Sequence, residues 1–178
     1  MQISTADLWD TIASDAGQES ALWNAALRPR EEQERAAVFS LLGEPRYALG
    51  TETIYEGYLL HYGRTRLFAP EDQDAALLLG DYLYAHGLVR IEEVGTVEAV
   101  SDLAELIALC AYLRAEEIAG DGPVWAATAA ALGRGELDAG RSSLRLDNDP
   151  NPLERLARTR VGDAAVDGAL ATHRGRLR

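Results

Sequence analysis

The chain has 178 residues, 47% of them hydrophobic and 7% aromatic, and its abundant Ala and Leu favour a helical core over sheets. Its formal charge of −12 disfavours nucleic acid and anionic membranes, and because all 17 basic residues are Arg, lysine Schiff-base chemistry and a P-loop lysine are excluded. Asp81, Arg90, Glu105 and Arg114 interrupt the longest apolar stretches before the ~18 residues of a membrane span, and the opening MQISTADLWD lacks a signal peptide's basic and apolar regions, so no membrane insertion and a cytoplasmic location are expected.

Ser4 and Asp7 read as a capping pair opening a first helix through Leu8 and Ile12 and on to Leu22, Trp23 and Leu27. Pro29 at a first helical position, with Glu31 and Glu32 beside it, predicts a second helix stopped by Gly43 and Pro45. A third runs from about Thr51 to His61, with Ile54, Tyr58 and His61 on one side, and Gly63 ends it. Pro70, Glu71 and Asp72 start a central helix in which Ala75, Leu78, Leu79, Tyr82, His86 and Val89 form one face. The other side, Leu77, Gly80, Tyr84, Gly87, Leu88 and Ile91, is nearly as apolar. This helix is therefore expected to be buried, with Gly80 and Gly87 admitting a close neighbour. Gly95 closes it, and Thr96 caps the next, from Val97 to about Ile118, with Val100, Leu103, Ala104, Ile107, Ala111 and Ala115 as its core stripe.

Gly120 to Pro123 is a turn before an Ala-rich helix from Val124 to about Leu132. From Gly133 to Pro152 the periodicity fails, and the turn formers of GRGELDAG and LDNDPNP predict a loop. Two Arg-rich amphipathic segments follow, Leu153–Val161 and Asp163–His173. The expected organisation is an all-α single bundle of about seven helices, with a core domain over 1–132, a connector over 133–152 and a C-terminal helical segment over 153–178. Charge divides similarly: residues 1–133 carry 22 acidic side chains against 8 Arg, net −14, and residues 134–178 carry 7 against 9, net +2.

Walker, GxGxxG, HExxH, CxxC and GxSxG motifs are absent, and His61, His86 and His173 lack ligand spacing, so no metal site is expected from them. Glu71, Asp72 and Asp74 suit a first helical turn, Asp147 and Asp149 lack the spacing of a calcium loop, and Cys110 reads as a small core residue. Asp81 is the most informative position. A carboxylate inside the apolar run Ala75–His86 must be paired, hydrogen-bonded or neutralised if buried. Arg64 and Arg66 are its expected partners; alternatively they form a fork for phosphate or carboxylate. In a ligand-binding reading, Asp81, His86 and the tyrosines Tyr55, Tyr58, Tyr62, Tyr82 and Tyr84 would line a pocket, although tyrosines at helical spacing are ordinarily core. Metal-free catalysis by Asp81 and His86 is the weakest reading, because five residues along a helix turns side chains about 140° apart.

The segment ALLLGDYLYAHGLVRIEEVGTVEAVSDLAELIALCAYLRAEE resembles the helix pair of trans-polyprenyl diphosphate synthases that carries a GDYLL-like signature, most specifically at Gly80-Asp81-Tyr82-Leu83. The resemblance implies a truncated bundle of the isoprenoid-synthase type, a family that binds diphosphates through magnesium held by two DDxxD motifs. At the place of the first motif stands Tyr55-Glu56-Gly57-Tyr58-Leu59, followed by Arg64 and Arg66 where the family keeps paired arginines for diphosphate. The departure is large. Glu56 stands alone where three carboxylates are needed, and Asp147-Asn148-Asp149-Pro150 lies in a proline-rich turn. The combination, in a chain shorter than a catalytic synthase, resembles the small non-catalytic component of two-part heptaprenyl or hexaprenyl diphosphate synthases.

What that resemblance implies is an accessory or regulatory subunit with no catalytic residue and no cofactor of its own. Magnesium would enter only if a diphosphate site survives, with Glu56, Arg64, Arg66, Asp81 and His86 as candidate ligand-binding residues. Pairing is expected through the 51–118 region, as a homodimer or as a heteromer with a catalytic synthase subunit. The alternative is an unrelated helical domain that binds a small apolar ligand.

Overall fold

The computed structural model describes residues 5–177, and the expected Ser4–Asp7 capping pair falls outside what is described. Among the described residues there are nine α-helices and no strand: α1 (Thr5–Glu19), α2 (Ala21–Ala25), α3 (Ala48–Tyr62), α4 (Gln73–Val94), α5 (Val97–Ala115), α6 (Asp121–Ala131), α7 (Asp138–Asp147), α8 (Asn151–Val161) and α9 (Asp163–Arg176). The protein is an all-α bundle. No helix among the described residues is long and apolar enough to cross a membrane.

The axis of the bundle is α3, buried at every position from Gly50 to Leu60. A helix that is apolar nearly all round must be covered all round. On one side Leu60 packs with Leu8, Trp9 and Ile12 of α1, with Leu67 and Phe68, and with Leu79 and Leu83 of α4. On the other, Ile54, Tyr55, Tyr58 and Leu59 meet Phe39, α5 and Trp125 of α6. The α3–α4 crossing is set by four glycines at seven-residue spacing, one pair per helix. A Cβ on Gly57 would lie 2.9 Å from the Gly80 carbonyl oxygen, and one on Gly50 would lie 2.6 Å from Ile91 and 3.1 Å from the Gly87 oxygen. Backbone therefore meets backbone where Gly50 faces Gly87 and Gly57 faces Gly80, an approach that side chains would prevent. The close neighbour expected for Gly80 and Gly87 is α3.

Local signals set several boundaries. The Asp72 side chain accepts from Ala75 N at 2.8 Å to start α4, and Thr96 accepts from Ala99 N at 3.3 Å to start α5. Asn148, left-handed at φ 54°, closes α7.

Three expectations are corrected. The first helix ends at Glu19, and Ser20 caps the short α2 instead. The second helix expected after Pro29 does not form, and residues 28–47 hold only short 3-10 turns. Their backbone groups bond elsewhere. Val38 N and Ser40 N both donate to Glu52 Oε1 at 3.0 Å, Ala36 O accepts from Arg66, and Glu34 N donates to Arg66 O at 3.1 Å. Groups spent on distant partners are lost to a helical ladder. The connector expected at 133–152 contains α7, whose buried Arg141 donates to Asp102 Oδ1 of α5 at 2.9 Å and whose Leu144 is buried. Leu137, Leu144, Leu153, Ala157, Val166 and Leu170 share one core with Phe39 and Trp125, so packing is continuous through this region.

Candidate functional site

Of the five candidate residues, the fold unites only Glu56 and Arg66. Both are fully buried, and Glu52, one turn before Glu56, joins them. Glu56 Oε1 accepts from Arg66 N and Leu67 N at 2.8 Å, and its Oε2 accepts from Arg66 Nε at 2.8 Å. Arg66 Nη1 donates to Glu52 Oε2 at 2.5 Å and to Ala36 O, while Nη2 donates to Glu52 O at 3.1 Å. The guanidinium lies between the Trp9 and Tyr55 rings, 4.6 and 4.9 Å from their centroids. Buried charges in such a network are supported by hydrogen bonds on every side. Both Glu56 oxygens are spent on Arg66 and Leu67, so Glu56 does not fit a magnesium ligand.

Asp81 is corrected most sharply. Its side chain is 72% exposed on the outer side of α4, and its partner is His61, whose Nε2 lies 3.2 Å from Asp81 Oδ1. Neither Arg64 nor Arg66 is paired with it. The two are joined because Gly80 has no side chain: a Cβ there would stand 2.5 Å from His61 Nε2. His61 also stacks on Tyr84, ring centroids 5.1 Å apart. Burial lowers the His61 pKa, with the Asp81 carboxylate opposing that shift. Arg64 is exposed, and its main-chain nitrogen donates to Arg176 O at 2.7 Å. His86 stacks on Tyr82 and sits 3.5 Å from Asp15 of α1, which Arg90 holds at 2.5 Å.

A second polar cluster joins residues far apart in the sequence. The Tyr55 hydroxyl is 2.9 Å from His173 Nδ1, and His173 Nε2 is 3.6 Å from Asp121 Oδ2. That same oxygen accepts from the Tyr58 hydroxyl and from Arg114 Nη2, while Arg114 Nε and Nη2 donate to Tyr58 at 3.1 and 2.8 Å. Burial alone would raise the Asp121 carboxyl, but His173, Tyr58 and Arg114 together hold it well below the usual carboxylate range. Burial drives the Tyr55 and Tyr58 phenols far upward, so both stay protonated donors. These residues come from α3, α5, α6 and α9, separated by up to 118 positions, and no local spacing signals them.

The outer surface of α4 and α5 has the opposite character. Leu77, Leu78 and Val89 of α4, Val94 and Val97 around the intervening turn, and Tyr112 of α5 are all exposed, from 39% for Leu77 to 82% for Val97. Exposed Ala85, Ala104, Ala108, Ala111 and Ala115 lie on the same two helices. No family model matches the chain, and no curated protein or solved structure matches it either.

Proposed function

We propose that this protein acts by pairing, as a non-catalytic accessory subunit resembling a degenerate polyprenyl diphosphate synthase. It packs the outer face of α4 and α5 against a second copy of itself, or against a catalytic synthase subunit. The carrying observation is the concentration of exposed Leu77, Leu78, Val89, Val94, Val97 and Tyr112 on this one hairpin. Large exposed apolar side chains gathered on one hairpin support an interaction surface there. The small residues Ala104, Ala108, Ala111 and Ala115 follow helical spacing along α5 and would admit a close helix–helix approach. The spent oxygens of Glu56 support the accessory reading, since that carboxylate has nothing left for a metal–diphosphate cluster.

The contact is apolar and the face carries Asp74, Asp81 and Glu92, so salt should leave the association unchanged or strengthen it. Sedimentation at micromolar concentration, in low salt and in ~1 M salt, should show a dimer in both, and Val89→Arg should return it to monomer. A wild-type monomer in both salts would remove self-pairing and leave a small-ligand domain as the better use of this surface.

A further inference from the structure

Three arginines from distant parts of the chain meet around one carboxylate. Arg176, in the last turn of α9, donates from Nη2 to Glu34 Oε2 at 2.7 Å, and its side chain is only 6% exposed. Its Nε and Nη1 are buried as well and find no acceptor among the described residues. Buried donors are ordinarily satisfied, so two idle ones on a single guanidinium mark a place where an acceptor belongs.

Backbone pairing brings the other two arginines to the same spot. Gly63 bridges Leu177 and Arg64 N donates to Arg176 O at 2.7 Å, which sets Arg64 beside the end of α9. Arg28 N donates to Leu67 O at 2.9 Å and Glu34 N to Arg66 O at 3.1 Å, which lays residues 28–34 along the turn after α3. The Glu34 carboxyl is held below its usual value, first by the Arg176 hydrogen bond, against burial, and further by the charges of Arg176, Arg64 and Arg28. Arg64 is exposed and makes no side-chain bond among the described residues, and half-buried Arg28 gives one, from Nη2 to the Thr65 hydroxyl at 3.3 Å. The cluster has a buried floor at Arg176 and an open rim at Arg64.

Charge and direction set the ligand class. Three guanidinium groups against one carboxylate leave a local charge of +2 in a chain whose net charge is −12. Such a concentration attracts an anion that the rest of the surface repels. The donors come from three chain segments, which suits a tetrahedral oxyanion better than a planar carboxylate, whose two oxygens face one way. We propose that this cluster binds a small inorganic dianion of the phosphate type, its oxygens accepting from Arg176 Nη1 and from the Arg28 and Arg64 guanidinium groups. Arg66 takes no part, because Glu52 and Glu56 hold it inside.

The test is an NMR titration of the full chain with inorganic phosphate at neutral pH, following backbone amides and arginine Nε–H signals, with sodium chloride at matched ionic strength as comparison. Phosphate should give saturable shifts at the Arg176 Nε–H and at the amides of residues 28, 34 and 64. Arg64→Gln, at an exposed position, should weaken binding about tenfold, the worth of one hydrogen bond to a charged group. Glu34→Gln should tighten it severalfold by removing the competing carboxylate. Glu93→Gln, near the Gly95–Tyr47 contact at the other end of α3, should leave it unchanged. Equal shifts with chloride would mean general screening, and wild-type affinity in Arg64→Gln or in Glu34→Gln would place the anion elsewhere; each result overturns the proposal. So does the absence of saturable shifts at millimolar phosphate. The cluster lies off the α4 and α5 face, so sedimentation reads self-pairing separately.

Discussion

Arg66 grips Glu56 twice, through its main-chain nitrogen to one carboxylate oxygen and through Nε to the other, both at 2.8 Å, and so ties the turn after α3 back onto the helix it has just left. Removing one member of a buried ionic network strands the other, so Glu56→Ala should cost about 3–5 kcal/mol in urea unfolding. Glu56→Gln keeps an acceptor and should cost less. Equal stability of Glu56→Ala and wild type would show that the carboxylate is solvated.

Backbone contact between α3 and α4 gives a prediction of opposite signs at two glycines. Gly87→Ala would drive a methyl into Ile54 and toward the Gly50 carbonyl 3.1 Å away, and should lower stability by about 1–3 kcal/mol through overpacking. Gly168→Ala, in α9 with nothing within 4 Å, should raise stability by about 0.5–1 kcal/mol from helix propensity alone. Thermal midpoints of the two variants should move apart from wild type in opposite directions.

The exposed Asp81 should be nearly silent in stability, with Asp81→Asn costing less than about 1 kcal/mol, as for surface pairs generally. Its effect should appear in titration instead. His61 is held below the ordinary histidine value by burial, and Asp81 opposes that shift, so Asp81→Asn should lower the His61 pKa further when followed by NMR.

Acid should loosen the attachment of α9. Asp121 and Glu34 both have folded pKa values depressed from their ordinary 3.8 and 4.5, the first against burial by His173, Tyr58 and Arg114, the second chiefly by a hydrogen bond from Arg176. For each, the unfolded chain binds the proton more readily, so the stabilisation is complete above the ordinary value and fades as pH falls through the depressed folded one. Urea midpoints at pH 7, 5, 4 and 3 should hold nearly level to pH 5 and then fall. Asp121→Asn should flatten the fall, and an equally steep fall in that variant would show that other carboxyls carry it.

How much of this was legible in the sequence depended on where each group finds its partner. The caps at Thr96 and Asp72 bond within three residues, and helical periodicity located α3 to α6 for the same reason. The stretch from Pro29 to Gly43 reads as helical because Pro29, Glu31 and Glu32 are good local signals. Its hydrogen bonds nevertheless go to Glu52 and Arg66, which no local window contains. Glu52 and Glu56, one helical turn apart within TETIYEGYLL, are carboxylates in an apolar run just as Asp81 is, and that pairing is the local signal of the buried network. The surroundings of Asp81 depend on the register between α3 and α4, which its own apolar run does not encode. That register needed Gly50 and Gly57 as well as Gly80 and Gly87, and it delivers His61 in place of an arginine.

The complete enclosure of α3 also bears on motion. A helix with an exposed face can fray or detach alone, but the amides from Gly50 to Leu60 have water on no side and are roofed by segments from both ends of the chain. Opening any of them requires lifting α4, the 38–42 turn or the Trp125 side of α6 first. Fraying of α3 alone is therefore closed, and its backbone is expected to exchange hydrogen with solvent only when a covering segment has lifted away.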